Sequence, residues 1–343
     1  MNSIYIDEQE ITKYINIDEC VCSIENMYKI MSKGLYTMGG TNANSHGMRI
    51  KFKRNDKQDN IYIAMPGWLG GEYNIAGLKW HGPNIRGAVK NSTTYTLILN
   101  EPDTGIPLAI MPANLITTYR TAALSLYAAK LLKKNVYELG LIGAGNIHTV
   151  FTKGILNIYP NIKKIKIKSK SQSGIDKLIS NFKNNTDIEF VAVDDIKEAV
   201  KNSDIISVNP GFDFDNLADM PIIRSNWLKE NSLTFCLSFI KFNDEFLIND
   251  AIKIADNYAM YESYLEEFGY PVYPKFSGLG SRFVDLVKDG RCEKNEIIDI
   301  IDILGGRKKG LLNSNKPMVF ASGGMICEDI AVAFDLLKKL KQI

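Results

Sequence analysis

Cross-linking chemistry is almost missing from this chain. Its five cysteines, Cys20, Cys22, Cys236, Cys292 and Cys327, are odd in number and include no C-x-x-C pair. That argues against a disulfide framework or a structural zinc site and for reduced, mostly buried thiols. No metal site is expected. A charge excess is missing too: 41 Lys and Arg against 39 Asp and Glu leave a net charge of +2, so no nucleic-acid or anionic-membrane footprint stands out. No run approaches the roughly 18 apolar residues of a membrane span. The opening "MNSIYIDEQEITKYI" alternates polar and apolar without the basic and apolar regions of a signal peptide. There is no internal repeat and no low-complexity linker. Together these absences leave a cytoplasmic globular protein whose default partner is a small molecule, with neither nucleic acid nor membrane.

With 343 residues, 45% of them hydrophobic and 23% charged, the chain exceeds what one average core serves, and two domains are expected. Residues 59–65, "DNIYIAM", and 93–99, "TTYTLIL", are short β-branched and aromatic runs bounded by turn residues, and they read as strands of a mixed or antiparallel sheet. From Asn114 the period changes. Leu115, Tyr119, Ala122, Ala123, Leu126 and Ala129 recur at helical spacing. Strand and helix then alternate: "YELGLIG", a helix from about Asn146, "KIKIKS", a helix from about Gly174, "IEFVAV", "DDIKEAVKNS", "DIISVNP", "LTFCLSF" and "AIKIAD". Such alternation predicts an α/β fold with a Rossmann-type, doubly wound parallel sheet, joined to a mixed α+β domain. We draw the boundaries at 1–117 with 318–343 for the mixed domain and at 118–317 for the Rossmann-type domain. The closing "CEDIAVAFDLLKKLKQI" is an amphipathic helix returning to the first.

"YELGLIGAGNIHTVF" carries the chemistry of the second domain. Gly143, Ala144 and Gly145 follow a predicted strand and, with Asn146 and Ile147, open a predicted helix, the context a dinucleotide-binding turn requires. The first glycine permits the tight turn, and the second lets backbone N–H groups approach a pyrophosphate. His148 stands where the third glycine is usual, a position of helix-to-strand packing, which a larger residue is expected to loosen. After the next strand an NAD site places an acid for the ribose 2′-hydroxyl, whereas an NADP site avoids that charge. Here "IKIKSKSQSG" presents Ser169, Lys170, Ser171 and Ser173, with no acid before Asp176. NADP(H) is therefore preferred, with NAD(H) possible.

Four segments, "AMPGWLGGEYNIAGLKW", "LNEPDTGIPLAIMPANLITTYRTAALSLYAAKLL", "LGLIGAGN" and "SGGMICEDIA", resemble the ornithine cyclodeaminase/μ-crystallin family in its order and spacing, over nearly the whole length. Within it, "MGG…NSHG" near Met38–Gly47 and the S-K-S loop are similar to the tyramine-oxidase-B subgroup. The surroundings of Lys79 also resemble the 2,3-diaminopropionate-forming dehydrogenases. The resemblance implies an NAD(P)-dependent homodimer acting on an amino acid or imine, as a dehydrogenase or ketimine reductase. Ornithine-type cyclodeamination with a recycled cofactor and NADPH-dependent binding without catalysis are its alternatives.

The same resemblance assigns site residues. Arg49 in "GMRIKF" and Arg120 in "TYRTAA" match positions that grip the substrate α-carboxylate, a task suited to a planar guanidinium fork. Lys79 in "GLKW" matches the lysine at the reacting amine or imine. Two neighbouring arginines would depress its pKa by like-charge repulsion. His81, two residues on along a strand, would face the same side and reach substrate or phosphate. His46 would shape the pocket or brace its loop. Asn209 in "SVNPG", with Ser322 and Gly323, matches loops brought toward the nicotinamide, and "YESYLEEFGYPVYPKFSGLGSR" matches a loop near the active site. Asp329 is read as a cap or anchor of the last helix. One departure is informative: where cyclodeaminases carry an aspartate that activates the attacking amine, this chain has Phe239-Ile240-Lys241, and its first acid is Asp244. That shifts the expectation toward net hydride transfer.

Overall fold

The computed structural model describes residues 4–55, 58–82, 95–210, 220–276, 278–306 and 314–340. By internal contacts the chain divides into two compact units, Met1–Ala123 with Gly324–Ile343, and Leu124–Gly323. These boundaries lie a few residues beyond those drawn from the sequence.

The first unit is built on a seven-stranded mixed sheet. Its strands are β1 (Ile4–Tyr5), β2 (Tyr36–Met38), β3 (Met48–Asn55), β4 (Gln58–Leu69), β5 (Ile75–His81), β6 (Tyr95–Asn100) and β7 (Pro107–Pro112). They run in the order β1-β7-β6-β5-β4-β2, with β3 also paired to β4. The β1–β7 pair is parallel and the others are antiparallel. Along β5 the alternation sets Ile75, Gly77 and Lys79 inward, because successive side chains point to opposite faces. The C-terminal helix, Ile326–Lys339, lies on that inner face. Gly67 and Gly77 stand opposite each other across β4 and β5. A methyl group on either would come 2.5 Å from Ile326 or 2.8 Å from Ile330, so the helix seats directly on bare backbone. Helices α1 (Glu8–Tyr14) and α2 (Ile17–Met31) complete the unit. Each starts at a side-chain cap, Asp7 and Asn16 respectively, which satisfies backbone donors that the helix itself cannot.

The second unit is a parallel sheet of eight strands, β8 (Glu138–Ile142), β9 (Lys164–Lys168), β10 (Glu189–Ala192), β11 (Ile205–Val208), β12 (Leu233–Cys236), β13 (Ile252–Ala255), β14 (Ile297–Asp299) and β15 (Met318–Ala321). The order is β10-β9-β8-β11-β12-β15-β13-β14. Strands β11, β12, β13 and β15 are buried at every position, as expected of parallel strands covered on both faces. Chain order reverses between β8 and β11, the switch point where ligands of open α/β sheets bind. Helix α3 (Asn114–Leu132) contains the division between the units, and α4 (Asn146–Ile158) and α5 (Gln172–Ser180) follow β8 and β9. No helix among the described residues is long and apolar enough to cross a membrane.

Candidate active site

Lys79 lies in mid-strand on the inner face of the first unit's sheet, opposite Met65 and Leu97. One rung along, Arg49, Ile63, His81 and Tyr95 oppose one another across β3, β4, β5 and β6. The register therefore aligns Arg49 and His81 beside Lys79. His81 stacks on Tyr95, ring centroids 4.4 Å apart, and the Lys79 ammonium stands 6.0 Å from the Tyr95 ring.

Two helices close over this rung. Thr117 and Arg120, one turn apart on α3, share a face. The C-terminal helix brings Glu328 and Asp329, both fully buried. The Lys79 amine donates to Asp329 Oδ2. Thr117 Oγ1 donates to Asp329 Oδ1 at 3.2 Å. Arg120 Nη1 donates to Glu328 Oε2 at 2.7 Å, and its Nε lies 3.5 Å from Asp329 Oδ1. Gly324, at φ +78°, lets the guanidinium lie against the backbone, since a methyl there would come 2.3 Å from Arg120 Nη1.

Asp329 does not cap its helix. Glu328 takes that task, accepting the Met325 backbone N–H at 3.1 Å, while Asp329 turns to Lys79 and Arg120. Of the two roles read from the sequence, cap or anchor, the helix's return onto β5 gives Asp329 the second, tying the helix to Lys79.

Lys79 and Arg120 thus pair with the two carboxylates, and Arg49 stands on the neighbouring rung. Burial holds the Lys79 amine below the ordinary lysine range, Asp329 opposes that shift, and Arg120 adds to it. Desolvation therefore outranks the arginine repulsion expected from sequence. For Asp329, burial alone would raise the carboxyl, but Lys79, Arg120 and Thr117 keep it below the usual range. The Arg120 guanidinium is held above its usual value: burial opposes this, and Asp329 and Glu328 outweigh it. His46 is pushed down to about 3 by burial and then by Lys79, Arg49, Arg120 and His81, so it belongs to the same cluster. His81 falls to about 4 through burial and Lys79. Both imidazoles are neutral near pH 7.

In the second unit, Gly143 adopts φ +111°, and a methyl there would strike Asn209 O at 2.3 Å. The turn after β8 thus packs against the backbone after β11. Gly145 caps α4 without a side-chain bond, and a methyl on it would meet nothing within 4 Å. With Ala144 before it and Asn146 and Ile147 after it, this leaves an open backbone cradle at a helix N-terminus, which fits a pyrophosphate. His148 does not loosen the packing. It is fully buried, with Nδ1 2.8 Å from Gly143 O and Nε2 2.9 Å from Ser207 Oγ. Burial brings its pKa to about 4, so a neutral imidazole ties the turn to β11.

After β9, Ser169 is half-buried and Lys170 exposed. Ser171 caps α5, accepting Gly174 N–H at 3.2 Å and lying 2.6 Å from Ser173 Oγ. Helix α5 accordingly begins at Gln172, two residues before the expected Gly174. Ser322 and Gly323 follow β15: Ser322 N–H donates to Cys236 O at 3.3 Å, and Gly323 N–H to Asp256 Oδ2 at 2.7 Å. Gly211 of "SVNPG" lies outside the described residues. Asp244 is held by Arg282 Nε and Arg291 Nη1, each at 2.9 Å, and its hydrogen bonds to Arg282 keep its carboxyl below the usual range. Among the described residues, no three His, Cys, Asp or Glu gather to hold a metal ion.

Residues 3–342 match the model of the ornithine cyclodeaminase/mu-crystallin family. The chain belongs to that family. It is similar to N-((2S)-2-amino-2-carboxyethyl)-L-glutamate dehydrogenase of Staphylococcus aureus, 25% identical over 82% of this chain and 79% of that one. Among solved structures it shares its fold with Thermococcus litoralis Δ1-pyrroline-2-carboxylate reductase in complex with NADH and L-proline, at TM-score 0.77, 21% identity and 98% coverage of both chains. An archaeal alanine dehydrogenase dimer with bound NAD aligns at TM-score 0.76 and 21% identity, over 99% of this chain and 98% of the other. This protein is an NAD(P)-dependent oxidoreductase of that family, acting on amino-acid or imine C–N bonds.

Proposed function

We infer that this oxidoreductase works by net hydride transfer, with Lys79 as the proton-transferring group and Arg49 and Arg120 as the holders of the substrate carboxylate. The observation that carries the reading is the buried Lys79, bonded to Asp329 beside Arg120. A bound nicotinamide supplies or accepts the hydride. Lys79 gives its proton to the imine nitrogen in the reductive direction and takes one from the amine in the oxidative direction. The Arg120 fork, fixed by Glu328 and Asp329, is oriented before substrate arrives, which lowers the ordering cost of binding. Neutral His46 and His81 can accept or donate hydrogen bonds without adding charge.

Ring-closing deamination fits less well. Phe239-Ile240-Lys241 offers no carboxylate, Ile240 is fully buried, and Asp244 is engaged by two guanidiniums. The test is an absorbance screen with cyclic imines, keto-acid plus amine pairs and amino acids. Reduced nicotinamide is expected to change one-for-one with substrate. Ornithine converted to proline and ammonia at flat absorbance would overturn the reading.

We further propose a preference for NADP(H), supported by Ser169, Lys170 and Ser171 and the lack of an acid at the end of β9. A charge-assisted contact to the 2′-phosphate is worth roughly 1.5–3 kcal/mol, so NADPH should bind at least about tenfold more tightly than NADH. Ser169→Asp should reverse the order by repelling the phosphate. Equal affinities of the wild type count against the assignment.

A homodimer is part of the same proposal. The outer face of the first unit's sheet exposes Met48, Ile50, Phe52 and Trp80, with Tyr62 stacked between Phe52 and Trp80 at 5.8 and 5.4 Å. A contiguous apolar face of this kind calls for a partner, and the related alanine dehydrogenase is a dimer. We take the occupant to be a second copy. Light scattering should give twice the chain mass for the wild type and one chain mass for Ile50→Glu/Trp80→Glu, whereas a monomeric wild type sinks the idea. Five unpaired cysteines support a reducing, cytoplasmic location. Within the family we place the chain near the diaminopropionate-forming dehydrogenases and the tyramine-oxidase-B subgroup, on its "NSHG" loop and the surroundings of Lys79.

A further inference from the structure

Lys79 is encircled by groups from every element around it. His46 comes from the loop before β3, Arg49 from β3, His81 from its own strand, Tyr95 from β6, Thr117 and Arg120 from α3, and Glu328 and Asp329 from the C-terminal helix. The imidazoles are neutral, the Arg120 guanidinium repels a proton on Lys79, and Glu328 is occupied by Arg120 and the Met325 N–H. Among the described residues, Asp329 is the carboxylate that bonds Lys79 directly. Its second oxygen is pinned by Thr117 Oγ1 and faces Arg120 Nε, so the carboxylate has little freedom to rotate.

From this geometry we propose that Asp329 is the positioning residue of the reaction: it aims the Lys79 amine and keeps a proton on it inside a site shielded from water. The inference rests on Lys79 being the proton-transferring group. Without its partner, a buried ammonium sheds its proton rather than remain charged in a low-dielectric site. Asp329 itself stays ionised throughout. The proton leaves Lys79 for the substrate nitrogen, the amine remains hydrogen-bonded to the carboxylate, and solvent returns the proton once product has left. Held below the usual carboxyl range, Asp329 has no proton of its own to give near neutral pH.

Direct titration of Lys79 tests this without substrate or cofactor. In protein labelled with ¹³C at lysine Cε, the Lys79 resonance is assigned by its loss in Lys79→Arg and followed against pH. In Asp329→Asn, or Asp329→Ser should the amide variant not fold, the midpoint is expected to fall by at least about one unit, the usual effect of removing an opposite charge in contact. Asp329→Glu, which keeps the charge, should stay within about half a unit of wild type. Thermal stability gives a second readout with a definite sign. Between the lowered Lys79 midpoint and the ordinary lysine value the unfolded chain binds the extra proton, so the neutral variants should gain stability as pH rises through that window. An unmoved Lys79 midpoint with a pH-independent loss of stability marks a merely structural carboxylate and overturns the proposal. Neither measurement depends on turnover, so failure of the Lys79 assignment, read from Lys79→Ala kinetics, remains a separate result.

Discussion

Replacing Lys79 by alanine is expected to cut turnover by about two to four orders of magnitude, the usual worth of a positioned general acid or base. NADPH affinity should hardly change, because the backbone cradle at Gly143–Gly145 belongs to a different unit of the chain from Lys79. The side chain is nearly inaccessible, at 2% exposure, so its removal leaves Asp329 with Thr117 and Arg120. The expected loss lies in kcat and in kcat/KM together, the mark of an interaction made in the transition state. Lys79→Arg is a useful companion. It restores a charge opposite Asp329 but supplies a group that stays protonated, so it should recover stability without recovering rate. Near-normal turnover by Lys79→Ala would remove Lys79 from the mechanism.

The second large effect is expected at Arg120. Its guanidinium neutralises Glu328 through a 2.7 Å bond and faces Asp329, and all three groups are buried. Arg120→Ala removes the guanidinium that bonds Glu328 and faces Asp329. Breaking a buried pair in this way costs about 3–5 kcal/mol. A marked drop in melting temperature should follow. The substrate KM should rise by about ten- to a hundredfold as a charge-assisted carboxylate contact is lost. Arg120→Lys keeps the charge without the fork, so it should restore stability better than KM. A melting curve and KM both unchanged in Arg120→Ala would contradict this account.

Legibility in the sequence followed the range of the interaction concerned. The strand in "YELGLIG", the glycine turn and the helix from Asn146 arise within a few residues of one another, and hydrophobic period and backbone sterics declare them locally. The long helix from Asn114 was visible for the same reason. His148 shows where local reading stops: a bulky residue at a packing position suggests looseness, yet Ser207 and the Gly143 carbonyl, one on a neighbouring strand, give both ring nitrogens partners. Asp329 shows the same limit at the site. In the sequence it is one of two acids in a helix's first turn, and helix-dipole and capping rules account for both.

The sequence by itself determined the family, the alternation that builds the parallel sheet, the glycine cradle and the identity of the basic residues Arg49, Lys79 and Arg120. The tertiary structure decided which charges meet. Strand register put Arg49, His81 and Tyr95 on one rung beside Lys79. Gly67 and Gly77 let the C-terminal helix press onto the sheet, setting Asp329 against a lysine 250 positions away. Secondary structure is written in neighbours along the chain, so it can be read from them. An ion pair between distant residues is selected by the packing that buries it, because only desolvation makes that pairing strong.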